Sequence, residues 1–531
     1  MVAARPCWMA VGGVATAALS MLAASVVPAR ADTLVEAITR AYQSNPTLQS
    51  QRYELRALDD AYVRAHAGLR PSAELQITGD YADNRAGDAT QALRLVADPL
   101  AGRRLESNQG QAKIVIEQPL YSGGQASGAV DLAALRIRAG REALRGAEGD
   151  LILQVIAAYA DVRRDLESLA VRRANLAALE RQLDIVRARQ EAGEVTRTDV
   201  AQAQAQLEAV RTQITLAQVQ LQASRANYAA LVGDGPGELA PEPQLPFLPD
   251  QLETAFDLAE ADNPDLAQAK LTEQQSRRQA DLAKSAGRLA VSARTSYGST
   301  GELAPFYAQD QDVAWTASIS ITKPLYAGGA YQAGYHEALN RNGADRLRLE
   351  AARRQVIQNV LSAWNQAAAG RANIKVQLAQ VAAAQIAFDG MSEEFRVGQR
   401  STLDVLVAEQ NLREAQLALL GSRRDAYVAE AALLRQTGRL ELRALTQGAP
   451  LYDPSAHLRA VKSDGAVPWE GLVGVVDRAF ASKAGSVSLE QPPAPVGPPV
   501  LVEGSANGPA DRPLGEHSRT TPIPGTVGYE R

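Results

Sequence analysis

The chain has 531 residues and a formal net charge of −5, and it is 46 % hydrophobic but only 5 % aromatic. So mild a charge, without a basic patch among aromatic residues, argues against a nucleic-acid partner. Ala, Leu, Gln, Arg and Glu dominate the middle of each half, a composition typical of long helices that pack closely on small side chains.

The N-terminus has the three parts of a secretory signal peptide. Arg5 supplies positive charge, residues 11–27 are apolar, and residues 29–31 (Ala-Arg-Ala) fit the cleavage motif before Asp32. The chain's one cysteine, Cys7, lies in this segment and far from the cleavage site, so the mature chain is predicted to lack disulfides and a lipid-acceptor cysteine. No later hydrophobic run has the length of a membrane-spanning helix, so any membrane crossing must use strands.

The mature chain is predicted to begin with a helical segment at residues 32–69 that breaks near Asn45-Pro46. From Ser72 onward, apolar and polar residues alternate for about ten positions. This period of two indicates a β-strand, and its length is what a tilted strand needs to cross a bilayer.

A polar loop at residues 83–107 leads into a second alternating segment at residues 111–117. Pro119 has no N–H group to donate to a strand ladder, so it is predicted to end this ladder. Gly123 and Gly124 follow, and their conformational freedom predicts a sharp turn from strand into helix.

A very long helical hairpin comes after the paired glycines. Apolar residues recur every three or four positions from Ile152 to Val186, with one slip of phase, and a heptad seam runs from Val200 to Leu231. Gly193 separates the two arms, so the pattern predicts an antiparallel coiled coil. At 1.5 Å per residue, the first arm would be about 100 Å long.

The second half repeats this order of elements after a linker rich in Pro and Gly. Alternating strands are predicted at residues 289–297 and 313–322, and another long helical hairpin follows that turns at Gly398. From residue 449 the periodicity fades, and the Pro- and Gly-rich end of the chain is predicted to be disordered.

Three short motifs occur once in each half, in the same order. NPTL at 45–48 recurs as NPDL at 263–266, QPLYSGG at 118–124 as KPLYAGG at 323–329, and GEVTRTDV at 193–200 as GQRSTLDV at 398–405. The chain is therefore an internal duplication. The predicted parts are a signal peptide at 1–31, a first repeat at 32–232, a linker at 233–250, a second repeat at 251–448 and a tail at 449–531.

Each repeat supplies two strands, and four strands cannot close a transmembrane barrel, because the smallest such barrels need about eight. An open sheet in lipid would leave its edges unpaired. The strands must therefore be shared between chains. Three copies would form a 12-stranded transmembrane β-barrel continued by a long α-helical coiled-coil tunnel, a mainly α fold overall. The swivels between strand and helix would be Pro119, Gly123, Gly124, Pro324, Gly328 and Gly329.

These duplicated motifs behind a signal peptide resemble the TolC family of outer-membrane export ducts, over roughly residues 32–438. The resemblance implies a homotrimer in the cell outer membrane that extends into the periplasm. It implies passive efflux or type I secretion of proteins or small molecules. The implied partners are a periplasmic adaptor (membrane fusion) protein, an inner-membrane ABC or RND transporter and outer-membrane lipid. Because it lacks a lipid-acceptor cysteine, the predicted mature chain looks closer to the TolC and type I secretion branch of the family than to the lipidated drug-efflux branch.

The resemblance also implies a gate at the periplasmic mouth, where the hairpin turns of the two repeats meet. The matching positions are Thr198, Asp199, Phe395, Arg400 and Asp404. Phe395 stands where the family has a tyrosine, so one bond of the family's gate cannot form. Val407 replaces the second of two aspartates that ring the entrance in the family. The alternative is that Asp199 and Asp404 only cap their helices.

Nothing in the sequence predicts an enzyme, a metal site or a bound cofactor. His66, His336, His457 and His517 are scattered and are interpreted as isolated surface residues, and His336 lacks the partner histidine of a helical zinc site. No nucleophile stands in a pattern with a base. The rival function is a trimeric coiled-coil structural or surface protein without a pore, although such a protein has no use for four alternating strands.

Overall fold

A computed structural model of the chain describes residues 32–85, 87–97, 104–302, 311–446, 448, 450–479, 481, 483 and 485. The predicted signal peptide at residues 1–31 lies outside these described residues, as does the end of the predicted tail from residue 486.

The elements follow the order of the duplication. The first repeat contains α1 (Leu34–Ser44), α2 (Pro46–Ala67), β1 (Ser72–Arg85), α3 (Asp88–Ala97), β2 (Arg104–Tyr121), α4 (Gln125–Glu191) and α5 (Arg197–Val232). The second contains α6 (Leu252–Asp262), α7 (Pro264–Ser285), β3 (Ala290–Glu302), β4 (Asp312–Thr322), α8 (Ala330–Arg396) and α9 (Thr402–Gln436). Three short helices follow: α10 (Leu442–Leu445), α11 (Ala456–Val461) and α12 (Glu470–Ala479).

The predicted strands are confirmed, and within the described residues they form a four-stranded antiparallel sheet in the order β1-β2-β3-β4. One face of the sheet is apolar and exposed. A row of directly paired residues crosses it: Leu75, Ile114, Tyr297 and Trp315. The opposite face is mainly polar, with a row from Glu117 through Arg294 to Ser318. This sorting follows from the period of two in the sequence.

The prediction that Pro119 ends the ladder is wrong for β2 and β3, because β2 continues to Tyr121 and Pro119 pairs with Ser292 of β3. Pairing with β1 stops at Glu117, opposite Ser72, so Pro119 lies beyond the ladder that would need its N–H group. On the other side, the β2–β3 register shifts between Pro119 and Tyr121. A local irregularity of this kind accommodates a residue without a donor.

The polar loop predicted at residues 83–107 is also only partly a loop. β1 continues to Arg85, β2 begins at Arg104, and α3 lies between them. The sequence of α3 is DATQALRLVA, in which Ala and Leu favour a helix despite its short length. The first repeat therefore carries a helix that has no counterpart among the described residues of the second.

The predicted hairpins are confirmed. α4 and α8 have 67 residues each, and they pair with α5, of 36 residues, and α9, of 35. At 1.5 Å per residue, α4 and α8 are each about 100 Å long. Leu179 and Leu183 of α4 meet Leu207 and Val210 of α5 in one buried seam. None of the described helices combines the length and the hydropathy needed to cross a membrane.

The main hydrophobic core forms where α1, α2, α4 and α5 meet. Tyr159 and Tyr228 are its largest buried side chains. The Tyr159 hydroxyl donates to the carbonyl oxygens of Asp32 at 2.9 Å and Ala240 at 2.7 Å. Because Ala240 belongs to the predicted linker, this tyrosine ties the linker to the start of the mature chain.

A buried arginine joins the two repeats. Arg435 of α9 donates from Nε to Asp150 of α4 at 2.6 Å, and from Nη1 to Asp265 of α7 at 3.3 Å. Gly149 gives it room, since a Cβ there would lie 2.9 Å from the Arg435 Cδ. The charge is therefore matched on both sides, as a buried guanidinium requires.

The prediction that the chain is disordered from residue 449 is wrong for residues 450–479, which contain α11 and α12. Polar bonds hold this segment more than apolar packing does. Asp477 is buried, and Val473 alone of its larger apolar residues is buried with it. Disorder is predicted there because the sequence of this segment shows little hydrophobic periodicity.

Candidate gate and strand–helix junctions

The two hairpin turns have the same local structure in both repeats. Gly193 and Gly398 adopt φ values of 79° and 80°, in the left-handed region that favours glycine. Each glycine lies two positions after the end of a 67-residue helix and four positions before the start of the next helix. The duplication is therefore preserved down to backbone conformation at the predicted gate.

Each turn is followed by a capping box. Asp199 Oδ2 accepts hydrogen bonds from the Thr196 N–H and hydroxyl, both at 2.8 Å. Asp404 Oδ2 accepts from the Ser401 N–H at 3.0 Å and from its hydroxyl at 2.8 Å, and these bonds lower the pKa of Asp404. The structure thus gives both predicted gate aspartates the helix-capping role.

Phe395 joins the two hairpins within one chain. Its ring is buried with Val186 of α4 and Val405 of α9. The Arg189 guanidinium lies 4.5 Å from the ring centroid, and it donates to the carbonyl oxygens of Phe395 and Arg396, each at 3.2 Å. These carbonyls belong to the last turn of α8, where Phe395 O also accepts from the Gly398 N–H at 3.0 Å, so Arg189 adds to the local bonds that end the helix.

Arg189 is the residue that sequence reasoning missed at this site. It serves as a basic partner for the C-terminus of α8 although it lies 206 positions from Phe395. A cation in the last turn of α4 is expected to stabilise the C-terminus of α4 itself. Nothing in the sequence shows that Arg189 reaches a second helix.

The structure does not bring Asp199 and Arg400 together within one chain. Arg400 Nε donates to Glu394 Oε2 at 2.7 Å, an interaction that raises the pKa of Arg400. Thr198 is exposed on the first turn of α5. Val407 is exposed one helical turn after Asp404, at the position that is acidic in the family.

The first strand–helix junction is closed by a residue from the far end of the chain. Gly123 and Gly124 have φ values of 71° and 92°, and Gly124 offers α4 no side-chain cap. Instead, Asp477 Oδ1 accepts from the Ser122 N–H at 2.7 Å, the Ser122 hydroxyl at 2.8 Å and the Gly124 N–H at 3.1 Å. Its Oδ2 accepts from the Ser127 N–H at 2.9 Å.

This carboxylate is fully buried, with 0 % of Asp477 exposed. Burial opposes its charge, but the hydrogen bonds from Ser127 and Ser122 outweigh that effect and lower the pKa of Asp477. The N-terminus of a helix is the favourable place for a negative charge. Asp477 therefore caps α4 together with Ser122, whose hydroxyl accepts from the Ala126 N–H at 2.8 Å.

The second junction has no such partner in the described chain. Gly328 and Gly329 repeat the positive φ values, at 60° and 85°. A Cβ at either position would meet nothing within 4 Å. Leu325 is 90 % exposed and Tyr326 is 89 % exposed. The two predicted swivels therefore share a sequence motif and a backbone conformation, but only the first is covered by another described segment of the chain.

Two histidines attach the C-terminal segment to α2. His66 Nδ1 bonds Glu470, which also accepts from Arg70 Nε at 2.8 Å. His457 Nε2 lies 3.0 Å from Asp60 Oδ1. The interpretation of these two histidines as isolated surface residues is therefore wrong, because both have acidic partners that are distant in sequence.

The other two histidines give no sign of a metal site. His336 is exposed, and His517 lies outside the described residues. In the part of the chain that the structure describes, no three or more His, Cys, Asp or Glu side chains are grouped so that they could hold a metal ion.

Several known proteins are similar in sequence to this chain along most of its length. The family model described as Outer membrane efflux protein matches residues 37–234 and 255–439. Outer membrane efflux protein BepC of Brucella suis biovar 1 (strain 1330) is 33 % identical over 461 residues, which are 86 % of this chain and 96 % of BepC.

Outer membrane protein TolC of Vibrio cholerae is 27 % identical over 428 residues, 79 % of this chain and 93 % of that protein. The crystal structure of the Campylobacter jejuni CmeC outer membrane channel superposes with a TM-score of 0.69 at 13 % identity, over 82 % of this chain and 90 % of CmeC. The similarity to BepC is one of sequence, and the similarity to CmeC shows a shared fold.

Proposed function

This chain belongs to the outer membrane efflux protein family, and on that premise we propose that three copies assemble into a passive export duct with a gate at its periplasmic end. The protein is an outer-membrane channel-tunnel for efflux or type I secretion, with its helical part in the periplasm. The family consists of channel proteins. What we propose in addition concerns the number of copies, the partners and the gate residues.

The observation that carries the proposal is the sheet. β1 and β4 each pair on one side only in a single chain. The apolar face, with Ile77, Val313, Ile319 and Ile321 among its exposed residues, needs a lipid environment. Since an open edge in lipid leaves backbone groups unsatisfied, β1 of one copy pairs with β4 of the next. A coiled-coil surface protein without a pore has no use for this face.

The first expected result concerns assembly. Protein extracted from outer membranes in mild detergent should be a trimer, because four strands per chain reach a closed barrel of twelve only in three copies. Light scattering coupled to size exclusion measures the mass of the complex. A stable monomer in the membrane fraction would contradict the shared barrel.

The proposed partners are a periplasmic adaptor protein and an inner-membrane transporter of the ABC or RND type. A groove of about 740 Å³ between the α4–α5 hairpin and α9 supports adaptor binding. Its walls carry polar side chains that can bond a helical hairpin, among them Arg172, Gln213, Gln410 and Glu414. The cargo is of either class, proteins or small molecules.

The proposed gate links Asp199 of one copy to Arg400 of the next. The capping and gating roles are compatible because they use different atoms. Capping occupies Asp199 Oδ2, and the bond to Glu394 occupies Arg400 Nε. Asp199 Oδ1 and the two Nη atoms of Arg400 take no part in these bonds, so a link between copies adds to them. Surface ion pairs are individually weak, and three of them make a closure that a partner can open.

The second expected result concerns this closure. Arg400→Ser should raise the single-channel conductance of the trimer in planar bilayers, and Asp199→Ala should do the same. The double variant should conduct little more than either single one, because both changes remove one link.

Two matched variants serve as controls. Thr196→Ala removes a hydroxyl that bonds Asp199 Oδ2 and leaves Asp199 Oδ1 unchanged. Arg396→Ser removes an exposed arginine that lies near the turn and pairs with Glu393. Both should conduct like the parent. If Arg400→Ser also conducts like the parent while it remains trimeric, only the capping role is left.

A further inference from the structure

The segment that covers the first junction has a second surface. We define the C-terminal clasp as residues 464–479, which include α12. Its inner side bonds the body of the protein: Arg70 donates to Glu470 at 2.8 Å, and Val473 packs with Leu69 and Val130. The buried Asp477 caps α4 from the same side.

The outer side of α12 is apolar and uncovered in the described chain. Leu472 is 72 % exposed, Val475 is 64 % exposed and Val476 is 48 % exposed, while Trp469 precedes the helix on the same side. These residues recur at intervals of three, three and one, which places them along one stripe of a helix. Four large exposed apolar side chains between Trp469 and Val476 are more than scattered surface exposure explains.

The position of α12 relative to the sheet indicates what covers this stripe. Trp469 Nε1 donates to Gln118 Oε1 at 3.0 Å. Gln118 continues the alternation of Ile114 and Ile116, and it pairs with Ala293, which in turn pairs with Ile319. Gln118 is therefore on the apolar face of the sheet, at the end where the strands pass into the helices. The stripe begins where the lipid-facing surface of the strands ends.

A neighbouring copy is not the partner that this position favours. Copies join through β1 and β4, the two sheet edges, whereas the clasp packs on α2, β2 and α4. Described residues after α12 contact α7 and α8 of the same protomer, where Lys483 O accepts from Lys284 Nζ at 2.8 Å and the Gly485 N–H donates to the Tyr335 hydroxyl at 3.0 Å. The stripe thus lies over the middle of one protomer.

We propose that α12 is a membrane-surface helix whose apolar stripe lies in the periplasmic leaflet of the outer membrane, at the boundary between phospholipid headgroups and acyl chains. The features match such helices: a short amphipathic element, a tryptophan at the level of the headgroups, and exposed lysines on either side, here Lys462 and Lys483. The helix lies on the bilayer and does not cross it. This inference rests on the outer-membrane location and the lipid-facing sheet of the proposed duct.

The arrangement connects the membrane surface to the tunnel. α12 contacts lipid with one side and binds the N-terminus of α4 with the other, through Asp477. The strands would then not be the chain's only contact with the membrane. The first junction of each protomer is held at a fixed depth, whereas the described chain offers the second junction no equivalent contact.

Nitroxide spin labels test this depth directly. Leu472→Cys and Val475→Cys are labelled in a full-length Cys7→Ser background and reconstituted as trimers in phosphatidylethanolamine–phosphatidylglycerol vesicles. Collision rates with oxygen, which concentrates in lipid, are compared with those of a nickel chelate, which stays in water. Both labels are expected to favour oxygen.

Two further labels separate this inference from the duct itself. Ile319→Cys, on the apolar face of β4, should favour oxygen, and Ser463→Cys, exposed just outside the clasp, should favour the nickel chelate. If Ile319→Cys favours oxygen while the α12 labels behave like Ser463→Cys, the membrane-surface role is wrong and the duct stands. If both reagents are excluded from the α12 labels, protein covers the stripe and the proposal also fails. If Ile319→Cys itself favours the chelate, the lipid-facing sheet and the inference fail together.

Discussion

Ile319→Arg is expected to reduce the amount of inserted trimer, whereas Ser320→Arg in the next position is expected to be tolerated. Ile319 is 69 % exposed on the apolar face of the sheet, in the same row as Gln118 and toward the end of β4 that leads into α8. A charged residue facing lipid costs about 2–4 kcal/mol at the midplane of a barrel and about 0–1 kcal/mol near the interfaces, so the cost of each Ile319→Arg side chain lies between these limits. The cost is incurred once in each of three copies. Ser320 points to the opposite, polar face, where water can solvate the guanidinium.

The choice of control matters in this strand. Ser318 also points to the polar face, but it pairs with Arg294, so an arginine there would place two like charges opposite each other. Ser320 pairs with Ser292 and avoids this conflict. The amount of trimer in isolated outer membranes measures the outcome. Equal recovery of the two variants would show that the sheet does not have one lipid-facing side.

Asp477→Leu is expected to loosen the first strand–helix junction. The change leaves the N–H groups of Ser122, Gly124 and Ser127 without their acceptor in a buried site. Each donor left without a partner costs about 1–3 kcal/mol. Amide hydrogen exchange in the first turn of α4 should therefore accelerate by about tenfold or more, since each 1.4 kcal/mol is a factor of ten.

Asp477→Asn is the graded control. It keeps the shape and one acceptor oxygen but loses the charge, so its effect should lie between those of the parent and Asp477→Leu. The equivalent first turn of α8 should exchange alike in all three proteins, because Gly329 has no such cap in the described chain. Unchanged exchange in α4 of Asp477→Leu would show that the cap contributes nothing.

The effect of pH on this cap has a definite sign. Because the pKa of Asp477 is lowered in the folded protein, its contribution is fully present above the ordinary carboxyl pKa of about 3.9 and is lost as pH falls through the folded value. The difference between the parent and Asp477→Asn should therefore be constant near neutral pH and shrink in acid. A difference that grows in acid would assign the stabilisation to another group.

Local patterns in the sequence predict the regular parts of this fold well. The alternation in β4 fixes which residues share a face, and Gly193 and Gly398 mark turns that require positive φ. The capping boxes at Asp199 and Asp404 are readable for the same reason, since every bond in them spans three residues. These features depend only on neighbours in the chain.

Contacts between distant residues are what the sequence does not show. Asp477 acts on a helix whose cap position is Gly124, and Arg189 acts on the end of α8. Neither residue has a local signature that distinguishes it from an ordinary surface charge. Pro119 illustrates the opposite error, because it lies beyond the β1–β2 pairing and is accommodated opposite Ser292 of β3, next to a shift of register.

The cap on α4 also imposes an order on folding. Ser122 and Asp477 are separated by 355 positions, so the carboxylate reaches the periplasm only after both hairpins have been secreted. Contacts between such distant positions form late, because the intervening chain must first be ordered. The strands and the hairpin of the first repeat can therefore form early, but the strand–helix junction lacks the Asp477 cap until translocation is nearly complete. Of the helices that the structure describes, the last to leave the translocation machinery is the one that completes the first repeat.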